Sequence, residues 1–171
     1  MKYSKKTFFS LMIALLSVSS IAWSQKFAHI NSQQLLMESP KVKAADAQLE
    51  TFQSQLIKKG QAMVTAFEND YKTFVTAAES KQLSPLQIQQ KETALTAKQQ
   101  EIQKFEVEVQ QKLAMKRENL YKPILDEVKT AIDGIGNDGG YTMIFDTATN
   151  GLLFVEDSES ILAQVKAKLG W

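Results

Sequence analysis

The chain has 171 residues and no cysteine, which excludes disulfide bonds, thiol catalysis and cysteine-ligated zinc sites. Its 20 basic and 19 acidic residues give a formal charge of +1. This balance argues against nucleic acid as a partner, because phosphate binding requires a strong positive field. His29 is the only histidine, and no glycine-rich run precedes a helix in the arrangement that binds phosphates. We therefore expect neither an enzyme nor a cofactor-binding protein.

Residues 1–24 have the pattern of a secretory signal peptide. Three lysines precede Phe8–Val18, an uncharged and largely apolar run of 11 residues, whereas a membrane-spanning helix needs about 20. Small residues at Ala22 and Ser24 offer a cleavage site before Gln25. Cleavage there would change the formal charge from +1 to −2. We expect export to a compartment outside the cytoplasm; a retained membrane anchor is the alternative interpretation.

Residues 25–40 are predicted to form a first strand and the entry to a small body. In this strand Phe27 and His29 would point to one face, and Ala28 and Ile30 to the other. The pattern fits a short strand whose two faces are both partly covered. A lone histidine in such a strand is more often packed or interfacial than catalytic, since no partner for proton transfer accompanies it.

Residues 41–119 are predicted to form an arm of two antiparallel helices, a coiled-coil hairpin. Ser39–Pro40 is a helix start, with serine as the cap and proline at the first helical position. Ser84–Pro85 repeats this signal after a polar turn, and Gln87 completes a capping box. A first helix that runs to Glu79 would be about 60 Å long, so we expect the arm to project.

Each predicted arm helix carries one apolar stripe. Its members recur at steps of three, four or seven residues, with a phase slip near Gly60. Two such stripes joined by a short polar turn predict helices that pack against each other. The stripes consist of Leu49, Phe52, Leu56, Met63, Phe67, Tyr71, Phe74 and Ala78, and of Ile88, Leu95, Ile102, Phe105, Val109, Leu113, Leu120, Ile124 and Val128.

The aromatic residues of the arm are the candidates for binding a client, that is, an unfolded protein chain. They are Phe67, Tyr71, Phe74 and Phe105. A two-helix arm has too little interior to bury large rings fully, and exposed apolar flanks can hold an unfolded chain weakly. The alternative is that the rings only seal the two helices together. Lysines near the arm tip could contact an anionic membrane surface, but a solvated helical face explains them more simply.

Residues 120–171 are predicted to form, with the first strand, a small α+β body that is rich in β-structure. Pro123 lies inside the returning helix and predicts a kink where the arm enters the body. The glycine-rich segment 133–140 is predicted to end this helix. Two strand-like runs, 141–146 and 151–156, are then predicted to pair as a hairpin.

A last short helix is predicted to start at a cap formed by Asp157 or Ser158. Its buried face would consist of Ile161, Leu162, Val165 and Leu169. The acidic residues before it could suggest a metal site, but acidic side chains are also typical of a helix N-terminus, which is the simpler interpretation. They are Glu156, Asp157 and Glu159. We predict no metal site.

The body is small for a chain without disulfide bonds, so we expect an oligomer. Apolar residues of the predicted strands are the candidates for the contact between subunits. They are Phe27, Ile30, Ile144, Leu153 and Val155.

The layout resembles the Skp/OmpH-like periplasmic chaperones of Gram-negative bacteria. The resemblance rests on the opening strand with Asn31–Leu36, the arm, Pro123–Ile124 and the closing Gly140–Asp146. It implies a homotrimer in which three bodies share a small β-barrel and three arms enclose unfolded outer-membrane proteins, without ATP. The best-known members are strongly basic, whereas this chain is near neutral, and Asp157–Ile161 replaces their usual Asp-Ile-Thr helix start.

Two functional hypotheses follow. The first is a periplasmic holdase for unfolded outer-membrane proteins, with weak apolar contacts spread along the arm. The second is a structural coiled-coil adaptor whose arm docks on one folded envelope-assembly partner through a few dominant side chains. Selectivity distinguishes them, because a holdase protects unrelated unfolded chains and an adaptor ignores them.

Overall fold

The computed structural model describes residues 25–149, 152, 154–155 and 159–171. The predicted signal peptide, residues 1–24, lies outside the described residues. Within them, two long helices and a small sheet dominate, which confirms the coarse fold prediction. In chain order the elements are β1 (Phe27–Ile30), α1 (Ser32–Glu38), α2 (Pro40–Glu79), α3 (Pro85–Asp138), β2 (Met143–Asp146) and α4 (Leu162–Leu169).

Helix α1 occupies a stretch for which no element is predicted. The Asn31 side chain caps it by accepting a hydrogen bond from the backbone N–H of Gln34 at 2.9 Å. Leu35 is fully buried and holds the helix against the core. Ser39 ends α1 and at once caps α2, because its hydroxyl accepts from the Val42 N–H. One buried serine therefore joins the two helices.

The long helices begin where the sequence predicts. Helix α2 starts at Pro40 and extends over 40 residues, and α3 starts at Pro85 and extends over 54 residues. Ser84 and Gln87 form the predicted capping box, with reciprocal hydrogen bonds of 2.8 and 3.3 Å. At about 1.5 Å per residue, α3 is about 80 Å long.

Contacts between α2 and α3 run in opposite chain directions. Lys41, at the start of α2, pairs with Glu127 late in α3 at 2.6 Å. Asp70, late in α2, pairs with Lys98 early in α3. Between these pairs, the ring of Phe105 is buried beside α2. The two helices lie side by side along the arm.

Helix α3 ends within the predicted glycine-rich segment, at Asp138. Gly140 follows with a φ of +65°, the left-handed conformation that favours glycine. Gly134 and Gly136 lie inside the helix, where a Cβ at Gly136 would be 3.3 Å from the side chain of Ile144. Small residues at these positions let the sheet and α4 approach α3 closely.

The sheet consists of β1 and β2 in parallel, with Phe27 opposite Met143 and Ile30 opposite Asp146. Its inner face packs on the helices. The core that results contains Ala28, Ile30, Leu35, Val128, Ala131, Ile135, Ile161 and Val165, with Ile144 packed against it.

The predicted hairpin partner of β2, residues 151–156, is not a strand where the structure describes it. Leu152, Phe154 and Val155 have no strand assignment, and the other three residues lie outside the described ones. The third strand position beside β1 is instead taken by a single bridge between His29 and Ser160. Both neighbours of β1, which are β2 and Ser160, are therefore more than 100 residues away from it in the sequence.

Helix α4 begins at Leu162, and Ile161 stands at the cap position without a side-chain hydrogen bond. The predicted caps, Asp157 and Ser158, lie outside the described residues and too far ahead of this start. The predicted buried face is confirmed: Ile161 and Val165 are fully buried, and Leu162 and Leu169 pack against the same core. Burial, rather than a cap, positions this helix.

Candidate functional site

The sheet has an outer face that the helices leave uncovered. Because side chains alternate along a strand, Phe27, Met143 and Phe145 point away from the core, and all three are exposed. The rings of Phe27 and Phe145 lie 6.1 Å apart with a tilt of 45°. This face is therefore apolar and open to solvent.

A groove of about 350 Å³ lies beside this face. Phe27, Ala28, His29 and Phe145 form one side of it, and the segment after β2 forms the other with Leu152, Phe154, Val155 and Glu159. Phe154 is 86% exposed. Contiguous exposed apolar surface of this kind marks contact sites in soluble proteins. We call the outer face and the groove together the sheet surface.

The predicted subunit-contact residues divide between the two faces. Phe27 and Val155 belong to the sheet surface. Ile30 is only 2% exposed and Ile144 packs beside it, so both serve the core of their own chain. Leu153 lies outside the described residues.

The four predicted client-binding rings do not form one cluster. Phe105 is 7% exposed, between Lys59 and Lys112, whose amino groups lie 5.2 and 5.5 Å from its ring centre. Its place beside Gly60 makes it part of the contact between α2 and α3. The burial of Phe105 between α2 and α3 fits the alternative interpretation, in which the ring only seals the two helices together.

The remaining rings lie nearer the tip. Phe67 is half-buried and stacks on Tyr71, with ring centres 6.3 Å apart. Phe74 lines a separate small groove with Leu95, next to the Asp70–Lys98 ion pair. Tyr71 alone among the four is mostly exposed, at 51%.

Two exposed apolar residues of α2 were absent from the predicted candidates. Ile57 is 51% exposed and Val64 is 40% exposed. Together with Tyr71 they recur every seven residues, and seven residues make about two helical turns, so the three side chains share one face. We call them the α2 row. The seven-residue spacing places them on one face of α2, but only the packing of α3 shows that this face stays exposed.

The described charges are surface ion pairs and capping contacts. A hydrogen bond from Lys112 holds the pKa of Glu108 below its usual value, and Lys104 adds a further attraction. Burial alone would raise the pKa of Asp146, but hydrogen bonds from Ser32 and from the Ala148 N–H outweigh it, and the pKa is lowered. These groups stabilise the fold and face no cavity suited to a reaction.

The described part of the chain offers surfaces rather than a reaction centre. No group of three or more histidine, aspartate or glutamate side chains there suits a metal ion. None of the helices within the same ranges is long and apolar enough to cross a membrane. The sheet surface and the α2 row are two apolar features of this part of the chain that could contact another chain.

A family model described as outer membrane protein (OmpH-like) matches residues 26–169. The chain belongs to the OmpH-like family. The match covers β1, both long helices and the body of this OmpH-like chain, so it does not depend on the coiled-coil composition of the arm alone. The resemblance expected from the sequence is thereby confirmed.

The fold is shared with a solved structure. One crystal structure that matches is described as a candidate outer membrane chaperone (OmpH-like) from Caulobacter crescentus. The likeness has a TM-score of 0.73 at 19% sequence identity, and it covers 85% of this chain and 83% of the other. At that identity it establishes the fold of the OmpH-like chain. Comparison with curated proteins gives no match.

Proposed function

We propose that this OmpH-like chain is a periplasmic holdase, which binds unfolded outer-membrane proteins without ATP and prevents their aggregation. The observation that carries the proposal is the separation of two apolar surfaces. One lies on the body, as the sheet surface, and the other lies on the arm, as half-exposed side chains of α2. A protein that assembles at one end and holds clients at the other needs both.

The sheet surface supports self-association. The body packs only a small core, and its exposed aromatic residues, Phe27, Phe145 and Phe154, would gain stability by burial against a second copy. The family resemblance implies three copies that share a β-barrel. We propose a homotrimer on that basis, with Phe27 and Val155 at the contact.

The arm supports weak client binding. Its half-exposed apolar side chains lie along the length of α2, so no compact patch dominates. An adaptor that docks on one folded partner concentrates its binding energy in a few clustered side chains. The spread over the arm therefore favours a holdase over the structural adaptor. Partly exposed rings at Phe67, Tyr71 and Phe74 fit this role.

Export to the periplasm follows from the signal-peptide pattern of residues 1–24. A compartment without ATP suits a chaperone that only holds its client. Neither a cofactor nor catalysis enters the proposal.

Light scattering tests the proposal directly. A urea-unfolded β-barrel membrane protein is diluted into buffer with the chain that starts at Gln25, without nucleotide, and with an unrelated helical protein as control. We expect the chain to suppress scattering at about one oligomer per client, and to do so for a second, unrelated client. Failure to suppress it, by protein that is folded and oligomeric, would overturn the holdase function.

A further inference from the structure

We propose that the α2 row, Ile57, Val64 and Tyr71, is the surface on which clients are held. The inference rests on the proposed holdase function and specifies which face of the arm meets an unfolded chain. It also specifies the kind of segment bound there, one that is apolar and extended. The argument uses the spacing, exposure and charge of the row.

The row is a linear feature. Its side chains follow each other at about 10 Å along the helix axis and span about 21 Å in all. Tyr71 is supported from behind by the stacked ring of Phe67, which restricts its motion. A segment laid along this face would meet an apolar side chain at regular intervals.

The row is distinct from the packing face of α2. Leu56, the neighbour of Ile57, is 7% exposed and faces α3. Phe105 fills the space beside Gly60 from the α3 side. Because Leu56 and Phe105 are buried and the row side chains are 40–51% exposed, the row lies at the edge of the contact between the helices rather than at its centre.

The area of the row excludes a stable folded partner. A fully buried aromatic side chain covers about 150–250 Å², so three half-exposed side chains offer about 300 Å² at most. A specific interface takes about 800 Å² from each partner. A coiled coil with a second copy also needs two apolar positions per heptad, and the row has one. An unfolded segment that binds only transiently requires neither a large buried area nor two apolar positions per heptad.

The charge around the row indicates what is recognised. Between Lys59 and Glu68, α2 has eight residues without charge, and Val64 lies in this stretch. Charged residues adjoin the two ends of the row, with Lys58 and Lys59 after Ile57 and with Asp70 and Lys72 beside Tyr71. The centre of the row therefore selects clients by apolar side chains and not by the sign of their charge. This agrees with the near-neutral composition of the whole chain.

The test compares two triple variants of the chain that starts at Gln25. The row variant carries Ile57→Gln, Val64→Gln and Tyr71→Gln. The control carries Leu86→Gln, Val107→Gln and Met115→Gln, which are 63, 64 and 61% exposed in the wild type and do not follow one another at intervals of seven residues. All six sites are helical and exposed, and glutamine is a good helix former, so both variants should fold. Circular dichroism and the molar mass in solution check this.

We expect the row variant to need at least about five times more protein for half-suppression of client aggregation, which corresponds to about 1 kcal/mol of lost client binding. The control should stay within about twofold of the wild type. Equal loss in both variants would overturn the inference and leave the holdase function intact. An inactive wild type would overturn the holdase function itself.

A second measurement covers the case in which the row serves another purpose. A photo-crosslinking residue replaces Ile57 or Tyr71, and Val107 or Met115 as control. We expect crosslinks to an unfolded β-barrel client from the two row positions and few from the controls. Crosslinks only to other copies of the chain, or a row variant that dissociates the oligomer, would assign the row to self-contact and overturn the inference.

Discussion

Gly60 of α2 lies against the ring of Phe105 of α3, and a Cβ on the glycine would be 3.4 Å from Cε1 of that ring. Glycine is a poor helix former, and it stands in α2 at the position where the buried Phe105 ring contacts this helix. The ring fills the space that a longer side chain would take. This contact lies at the phase slip in the apolar stripe.

Substitutions of Phe105 and of Gly60 should change the free energy of unfolding in opposite directions. Phe105→Ala should lower the free energy of unfolding by about 3 kcal/mol, because a buried ring is replaced by a cavity. Gly60→Ala should raise it by about 0.5 kcal/mol, since 3.4 Å is an ordinary contact distance and alanine favours the helix. Urea denaturation followed by circular dichroism measures both. A large loss of stability in Gly60→Ala would show that the ring cannot accommodate a methyl group.

Asp146 should make stability dependent on pH in the acid range. Its carboxylate accepts hydrogen bonds from the Ser32 N–H and hydroxyl and from the Ala148 N–H, and its pKa is lowered in the folded chain. A group with a lowered folded pKa stabilises the fold above its unfolded pKa, about 3.9. That contribution is lost as the pH falls through the folded pKa.

Asp146→Asn should therefore destabilise the chain by about 1–2 kcal/mol at pH 7. The difference from the wild type should shrink as the pH falls below about 4, where the wild-type carboxyl group also becomes neutral. Denaturation midpoints measured between pH 7 and pH 3 test this. A difference that stays constant over the whole range would exclude the ionised carboxylate as the cause.

The caps of the long helices could be predicted because their signals are local. Ser39 and Pro40, and again Ser84 and Gln87, act within one helical turn. Helix α1 has seven residues, too few to be stable alone, and depends on the burial of Leu35 in a core formed elsewhere. No local pattern can show that dependence.

The sheet could be predicted only in part for the same reason. Local alternation revealed β1 and β2, but their parallel pairing joins residues more than 100 positions apart. A local hairpin was the expectation, and no local signal distinguishes it from a long-range partner. In the arm, the periodicity of the sequence predicted the apolar stripe of each helix, but not which apolar side chains beside the stripe remain exposed. Ile57 and Val64 were missed because the packing of α3 decides that.

The sheet surface should control the oligomeric state. Phe145→Asp places a charge beside Phe27 on the outer face, where burial against a second copy would leave that charge without water. We expect the variant to be largely monomeric by light scattering coupled to size-exclusion chromatography. Met37→Asp, at an exposed position of α1, is the control and should keep the wild-type mass. Wild-type mass in both variants would move the subunit contact away from this surface.

Arm length should control client retention without changing the body. Deletion of 72–78 together with 88–94 removes about two turns from each helix and so preserves the phase of their packing. The deletion keeps the Ser84 capping box and the Asp70–Lys98 ion pair, and it removes Phe74.

Single replacements of Phe67 or Phe74 by alanine should weaken aggregation suppression only modestly, because contacts are spread along the arm. The deletion leaves the α2 row in place but shortens the space between the arms, so it should weaken suppression more than either single replacement, while the mass of the oligomer scales with the shortened chain. Full suppression by the shortened arm would show that the arm up to Tyr71, which includes the α2 row, is sufficient to hold clients, and would exclude a cavity formed by the outer part of the arms.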